Sequence, residues 1–285
     1  MTAEAIIHEL TLLNMGYSLH NGDWNFGPIC SNISRIYWVC EGEAEVSFLK
    51  NRHTLTPGHL YLIPSLQTHS DHNKGRFGHY YIHFIDPSNS LIRLYQKYRL
   101  PFEVSATEKD SQLIHHLYHM SQGMKLDNPQ PSTYETSTNL LERTLDFRRR
   151  SLGDRMEISG MILQLLSRFF HHAEERHTIS DNRIINSLYR IENHKKGMPS
   201  IAELASEAYL CKDSFIRLFK HQTGLTPKEH IIQQRILHAQ MLFIHGHRSV
   251  KEVAYEIGYT NISFFGRQFK KITGVSPLEF IRQNR

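Results

Sequence analysis

The stretch Ser249-Val-Lys-Glu252-Val-Ala254-Tyr-Glu-Ile-Gly258-Tyr259-Thr-Asn261-Ile262-Ser263-Phe-Phe265-Gly266-Arg267-Gln-Phe269-Lys270-Lys271-Ile272-Thr273-Gly274-Val-Ser276-Pro277-Leu-Glu279 decides how the last third of the chain folds. Ser249, with Glu252 three residues on, is a capping box that starts a short helix. Gly258 supplies a turn, and Ile262, Phe265, Phe269 and Ile272 form the buried stripe of a second helix. Gly274 stops that helix, and Ser276-Pro277-Leu-Glu279 offers a cap, a proline at the first helical position and another capping glutamate.

The same signals occur 49 to 50 residues earlier. Ser200-Ile-Ala-Glu203-Leu-Ala205 precedes Phe215-Ile216-Arg217-Leu-Phe219-Lys220, and Thr223-Gly224-Leu-Thr226-Pro227-Lys-Glu229 follows, with one fewer residue between the first two blocks. Between the copies, Pro227–His245 reads as one helix with Ile231, Ile232, Ile236, Ala239, Leu242 and Phe243 apolar, roughly 28 Å long. Helix, short turn and second helix is the helix-turn-helix pattern, whose second helix lies in a DNA major groove. On the two second helices the predicted outward faces carry Lys212, Asp213, Ile216, Arg217 and Lys220, and Asn261, Ser263, Gly266, Arg267 and Lys270. Arginine pairs bidentately with guanine and lysine suits phosphate, so these ten positions are the predicted contacts to double-stranded DNA. A 28 Å strut can set two such helices near one DNA turn, about 34 Å, apart.

Charge follows the same division. Residues 181–285 hold 16 Lys and Arg against 9 Asp and Glu, whereas residues 1–180 hold 17 against 19, so the net +5 comes from the last third. At 285 residues with 40% hydrophobic and 21% charged positions, the chain is long enough for two packed domains and is neither disordered nor fibrous in composition. No apolar run approaches the length of a membrane span, and the start lacks a basic leader with a cleavage site, so a cytoplasmic protein is expected. Cys30, Cys40 and Cys211 are far apart and odd in number, which predicts reduced, buried thiols rather than disulfides or a cysteine-rich zinc site.

The run Ala254-x3-Gly258-Tyr259-x5-Phe265-x-Arg267-x-Phe269-Lys270-Lys271-x2-Gly274-x-Ser276-Pro277 resembles the signature of AraC/XylS-type transcription regulators, and the likeness extends over residues 181–285. Two positions of the first copy depart from the pattern: Tyr209 stands where the turn glycine would be, and Cys211 where a serine cap is usual. The resemblance implies regulation of transcription, in the activating sense, with RNA polymerase as a partner and a homodimer as the working form.

Strand signals dominate the first half. Ile36–Cys40, Ala44–Leu49, Leu60–Ile63 and His79–Ile85 are short β-branched or aromatic runs, separated by Glu41-Gly42, Pro57-Gly58, Pro64 and Lys74-Gly75. They predict an antiparallel β-barrel or sandwich. Gly42 through Leu55-x-Pro57-Gly58-x-Leu60-x-Leu-Ile-Pro64-x4-His69 resembles the cupin-like effector domain that precedes many AraC-type DNA-binding halves. The expected fold is therefore α+β with two domains. Residues 1–176 form a jelly-roll-like barrel followed by helices over 108–123 and 154–176, residues 181–285 form an all-α domain with two helix-turn-helix units, and a linker spans 177–181.

Alternation along the strand from His79 places His79, Tyr81 and His83 on one face. Polar aromatics facing inward can bond hydroxyls and stack on a sugar ring. The predicted site for a small-molecule effector, with a carbohydrate favoured by the resemblance, is therefore His79 and Tyr81 with Trp24, Arg35, Tyr37 and His69. A catalytic cupin usually carries histidines on the strand corresponding to Ile36–Cys40, which has none, so neither metal nor cofactor is expected. Two other readings stay open: a cupin-type enzyme with a DNA-binding tail, and a regulator whose first half senses a protein partner. The helices after the barrel are read as packing on their own domain and, by resemblance, pairing subunits; Asp127–Ser132 is read as a loop and Arg148–Arg150 as a solvated charge cluster.

Overall fold

The computed structural model describes residues 10–48, 51–176, 179–192, 199–246 and 249–284. Leu49, the start at residues 1–9, and residues 177 and 178 of the expected linker lie outside them. The chain divides into two compact units, one of residues 1–174 with 273–275 and 279–285, the other of residues 175–272 with 276–278.

The first unit is built on antiparallel strands: β1 (Thr11–Asn21), β2 (Phe26–Ile29), β3 (Ser34–Gly42), β4 (Ala44–Phe48), β5 (Arg52–Leu55), β6 (His59–Ile63), β7 (His69–His72), β8 (Arg76–Ile85) and β10 (Glu103–Ser105), with the short β9 (Tyr98–Arg99) and β11 (Glu174–Glu175) pairing apart. One sheet runs β1-β8-β3-β6-β10 and the other β2-β7-β4-β5. Helices α1 (Ser90–Lys97), α2 (Glu108–Met120), α3 (Pro131–Tyr134), α4 (Ser137–Arg149) and α5 (Leu152–Phe170) accompany them.

The five-stranded sheet is buried on both faces, which is why its strands read as near-continuous apolar runs. One face sends Leu12, Met15, Ile36, Leu62, Ile82 and Phe84 against Ile114 and Leu117 of α2 and Ile158, Ile162, Leu165 and Phe169 of α5. The other sends Tyr37, Val39, Tyr61, Ile63, Phe77 and Tyr81 toward Ala44, Val46 and Leu55 of the second sheet. The β3–β4 hairpin turns at Gly42, whose φ of 68° suits glycine; a Cβ there would overlap the Arg76 carbonyl.

Several expectations are corrected. Strands β1, β2, β5, β7 and β10 and helices α1, α3 and α4 carry no element in the sequence reading; α3 begins inside the expected loop Asp127–Ser132, and the helix expected over 154–176 ends at Phe170. Only Cys30 of the three is buried, whereas Cys40 and Cys211 are exposed, and none of them forms a disulfide. Cys40 follows Val39 at a register shift between β3 and β8, where the strand's alternation slips. Arg150 is no mere solvated charge: its guanidinium donates to the Met120 carbonyl (2.7 Å), one of the last carbonyls of α2. The helix stripes at Leu113, Ile114, Leu117 and Met120 and at Ile158–Phe169 pack inside their own core.

The second unit contains α6 (Asn182–Glu192), α7 (Ile201–Glu207), α8 (Lys212–Thr223), α9 (Pro227–His245), α10 (Val250–Glu256) and α11 (Ile262–Thr273); α12 (Pro277–Gln283) follows. Capping boxes at Ser200/Glu203, Thr226/Glu229 and Ser249/Glu252 begin α7, α9 and α10. The core around the first copy gathers Ile184, Ile191, Leu204, Phe215, Phe219 and Ile231.

Both helix-turn-helix turns close in the same way. The Leu210 amide donates to the Ala205 carbonyl (2.9 Å) and the Tyr259 amide to the Ala254 carbonyl (2.8 Å), the long bond of a Schellman motif. The motif needs a left-handed residue, supplied by Gly258 (φ 84°) in one copy and Tyr209 (φ 55°) in the other. The extra residue of the second copy, Thr260, falls after this closure, so the turns superpose in kind despite the unequal spacing. A left-handed conformation strains a tyrosine, and Tyr209, 94% exposed, has no packing to offset it. Tyr209→Gly is therefore expected to stabilise the turn by about 1 kcal/mol, read as slower amide exchange over residues 201–223; faster exchange would contradict this account.

Candidate functional site

In the second unit, Lys212, Asp213, Arg217 and Lys220 are exposed on α8, and Ser263, Arg267 and Lys270 on α11, with Asn261 exposed just before it. Ile216 and Gly266 are half-buried at the edges of these faces. The opposite faces hold Phe215 and Phe219, and Phe265 and Phe269, all fully buried, so burial fixes which way each basic row points. Asn261 also caps its own helix, since its Oδ1 accepts the Phe264 amide (2.8 Å) at the start of α11. Cys211, in the equivalent place before α8, makes no such cap; its thiol reaches the Ser214 hydroxyl instead (3.1 Å). The Arg267 guanidinium lies 5.9 Å from the centroid of the half-exposed Phe264 ring, which holds the long side chain against the helix surface. Arg235 of α9 packs similarly on Tyr259 (5.6 Å), bracing the second turn from behind.

A pocket between the two sheets of the first unit brings together Trp24, Tyr37, His79 and Tyr81 of the six predicted effector residues. The space in it that can hold the centre of a water-sized sphere is about 50 Å³, within about 450 Å³ of free space that includes open solvent at its mouth. Strand alternation along β8 puts His79, Tyr81 and His83 inward, as the two-residue period requires. Gly16, opposite Tyr81 in the β1–β8 register, leaves room for the Tyr81 ring, where a Cβ would overlap the hydroxyl. That hydroxyl accepts the Leu126 amide (2.8 Å), tying the segment before α3 to the pocket wall.

Arg35 and His69 are buried but are not among the lining residues. Arg35 is bonded to Glu135, to the Ile33 carbonyl (3.0 Å) and to the Ser31 hydroxyl (3.1 Å). Burial opposes its charge, yet Glu135 beside it raises its pKa above the ordinary arginine value. His69 Nδ1 lies 3.1 Å from the Gln67 carbonyl; a carbonyl only accepts, so the proton sits on Nδ1 and Nε2 is left as a bare acceptor. That Nε2 faces Asp71 Oδ1 at 3.9 Å and has no hydrogen-bond partner, nor has Asp71 Oδ1.

Sequence reasoning missed Asp71, Tyr134, Ser18 and His20 in this wall. Asp71 alternates with His69 along β7, the signal that would have found it; Tyr134 comes from α3, with no local mark of its role. Burial governs the ionisation here. It lowers His79 to about 3 and His83 well below the ordinary histidine value, so both are neutral, and it pushes Asp71 up to about 7 although Arg35 pulls the other way. His79 Nδ1 and His83 Nδ1 are buried without partners. The pocket is thus a ring of aromatic walls with adaptable, unsatisfied polar atoms, suited to a small polar ligand. Among the described residues no group of three or more His, Cys, Asp or Glu could hold a metal ion, and no helix is long and apolar enough to cross a membrane.

Residues 204–283 match the family model of a helix-turn-helix domain. The probable transcriptional regulator LumQ of Photobacterium leiognathi is 30% identical over 123 residues, 43% of this chain and 49% of LumQ. The HTH-type transcriptional activator RhaS of Escherichia coli is 25% identical over 202 residues, 71% of this chain and 65% of RhaS. The chain spans about half to two-thirds of the length of these relatives. Among solved structures, the DNA-binding domain of AdpA in complex with a target DNA is 29% identical, covering 36% of this chain and 91% of that one at a TM-score of 0.33. ToxT from Vibrio cholerae is 13% identical, covering 95% and 98% at a TM-score of 0.47. The last third of the chain is a helix-turn-helix domain of the AraC type. Over that third the chain resembles transcription regulators of the AraC/XylS family.

Proposed function

We propose that this protein is a sequence-specific DNA-binding transcription regulator of the cytoplasm, an activator that engages RNA polymerase and answers to a small molecule, a carbohydrate, held between its two sheets. The working division is residues 1–176 for effector binding and 181–285 for DNA. The observation that carries the reading is the repeated helix-turn-helix, with each second helix burying its phenylalanines and exposing an arginine and a lysine at matching places: Arg217 and Lys220, Arg267 and Lys270. Arg267→Ala is expected to cost about 1–3 kcal/mol of operator binding and to relax preference at one base pair, whereas Lys270→Ala weakens all sequences alike and lowers the salt slope by about one. Footprinting and salt-dependent titration of the full-length protein measure both. Protection of a single major-groove segment would contradict two reading helices.

A homodimer belongs to the same proposal. With the expected stripes of α2 and α5 spent inside the core, the exposed apolar side chains on the helices after the barrel include Leu141 and Leu145 on α4 and Leu152 and Met156 at the start of α5, each pair one helical turn apart. Leu141→Glu with Leu145→Glu is expected to convert a dimer into a monomer in sedimentation and, by removing the linked second module, to weaken operator binding roughly 100-fold. A parent chain that sediments as a monomer on and off DNA would refute the dimer.

A further inference from the structure

The charges around the inter-sheet pocket do not balance. Arg35 is the wholly buried cation there, and it is committed to Glu135, away from the lining. Asp71 lines the pocket, is 5% exposed, and its Oδ1 has no donor. The nearest candidate, His69, turns its bare Nε2 toward that oxygen, so two acceptors face each other across 3.9 Å and neither satisfies the other. His79 and His83 are held neutral by burial. Lys125 also lines the pocket, but it is exposed to solvent, where its charge is screened. An anionic ligand would place its charge beside an unrelieved carboxylate. A neutral polyol would satisfy hydrogen bonds and leave the Asp71 carboxyl either to keep a proton or to hold an uncompensated buried charge.

The walls favour the opposite sign. Trp24 and Tyr37 meet edge to face at 5.8 Å, His83 stacks on Tyr134 at 5.2 Å, and these rings surround the space into which Asp71 projects. Aromatic faces attract cations, most strongly where water is excluded. We infer that the ligand of this pocket carries a protonated amine, as in an amino sugar, whose ammonium group pairs with Asp71 within the aromatic wall. An ammonium brings three donors to a site whose unsatisfied atoms include a carboxylate oxygen and two imidazole nitrogens, and a hydroxyl brings one. The inference rests on the effector reading and narrows its chemistry.

The test uses the full chain with Trp38→Phe, leaving Trp24 as the sole tryptophan and a reporter in the pocket wall. Glucosamine, galactosamine and methylammonium are titrated beside glucose, galactose and glucuronate. The amines are expected to change Trp24 emission saturably and to raise the melting temperature, and Asp71→Asn to weaken them about 30-fold or more. Should that variant not fold, the parent protein still reports: methylammonium affinity is expected to fall about tenfold per pH unit below about 7, as a proton competes for the carboxylate, with glucose unaffected. Equal amine binding by Asp71→Asn, or saturation by a neutral sugar with no response to any amine, overturns the inference and leaves the effector pocket standing. Silence from all six probes overturns the pocket reading as well.

Discussion

Replacing Arg35 by alanine is expected to destabilise the first unit by about 3–5 kcal/mol, a large part of the stability of an ordinary domain. Arg35 extends from β3 and is 1% exposed, as is its partner Glu135. Truncation leaves the Glu135 carboxylate buried without a counter-ion, takes the donor from the Ile33 carbonyl and Ser31 hydroxyl, and opens a cavity. The loss is one of an unmatched charge rather than of a strong bond. Arg35→Met combined with Glu135→Leu should therefore recover most of it. Urea unfolding followed by tryptophan emission separates the cases, because Trp24 and Trp38 both lie in this unit. A single mutant within 1 kcal/mol of the parent would show that the pair is not a fastening. The pair matters to the pocket because Glu135 follows directly on α3. Lys125, Leu126, Pro129 and Tyr134 of the preceding segment form one wall, held at one end by Glu135 and near the other, at Leu126, by the Tyr81 hydroxyl.

What was legible in the chain was what is written locally. The bounds of α9, Pro227–His245, coincide with the sequence reading because a threonine cap, a first-turn proline and a glycine stop each act within a few residues. The Tyr209 turn was legible as a departure, and its φ of 55° is what that departure costs in backbone terms. Strands β3, β4, β6 and β8 were visible as apolar runs. Strand β7, His69-Ser-Asp71-His72, was not, since its inward residues are polar and their burial depends on groups from distant parts of the chain. The same reason hid the Arg35–Glu135 pair, whose members are 100 residues apart and meet only when β3 and the end of α3 are placed. Helix α4 carried its signals, a Thr136 cap and apolar residues at three and four, but its exposed leucines blur the stripe. The pocket was half legible: β8 alternation found His79 and Tyr81, and nothing nearby marked Asp71 as their companion.

Acid is expected to unfold the first unit cooperatively between about pH 6 and pH 4. His69 and His79 are lowered to about 3 by burial, and His83 lies well below the ordinary value for the same reason. Below about 6.5, three histidines in the unfolded chain each bind a proton that the folded unit refuses, so falling pH favours unfolding. Asp71 works against them. Its carboxyl, raised to about 7, is protonated in the folded unit while its unfolded counterpart stays ionised down to about 4, so it returns one proton of the three. Glu135, also raised by burial, offsets a further part at the lower end of the range. A net uptake near two protons gives a loss of about 3 kcal/mol per pH unit, and two pH units exhaust much of the 5–15 kcal/mol of a typical domain. Urea midpoints measured at intervals from pH 7.5 to 4.5 through tryptophan emission give the slope directly. His79→Gln keeps a polar side chain without a titrating group and should remove about one proton from it, if the variant folds. Stability that stays flat from pH 7 to pH 5 would mean that water or a partner reaches these imidazoles in the folded protein, and burial would then not hold them neutral.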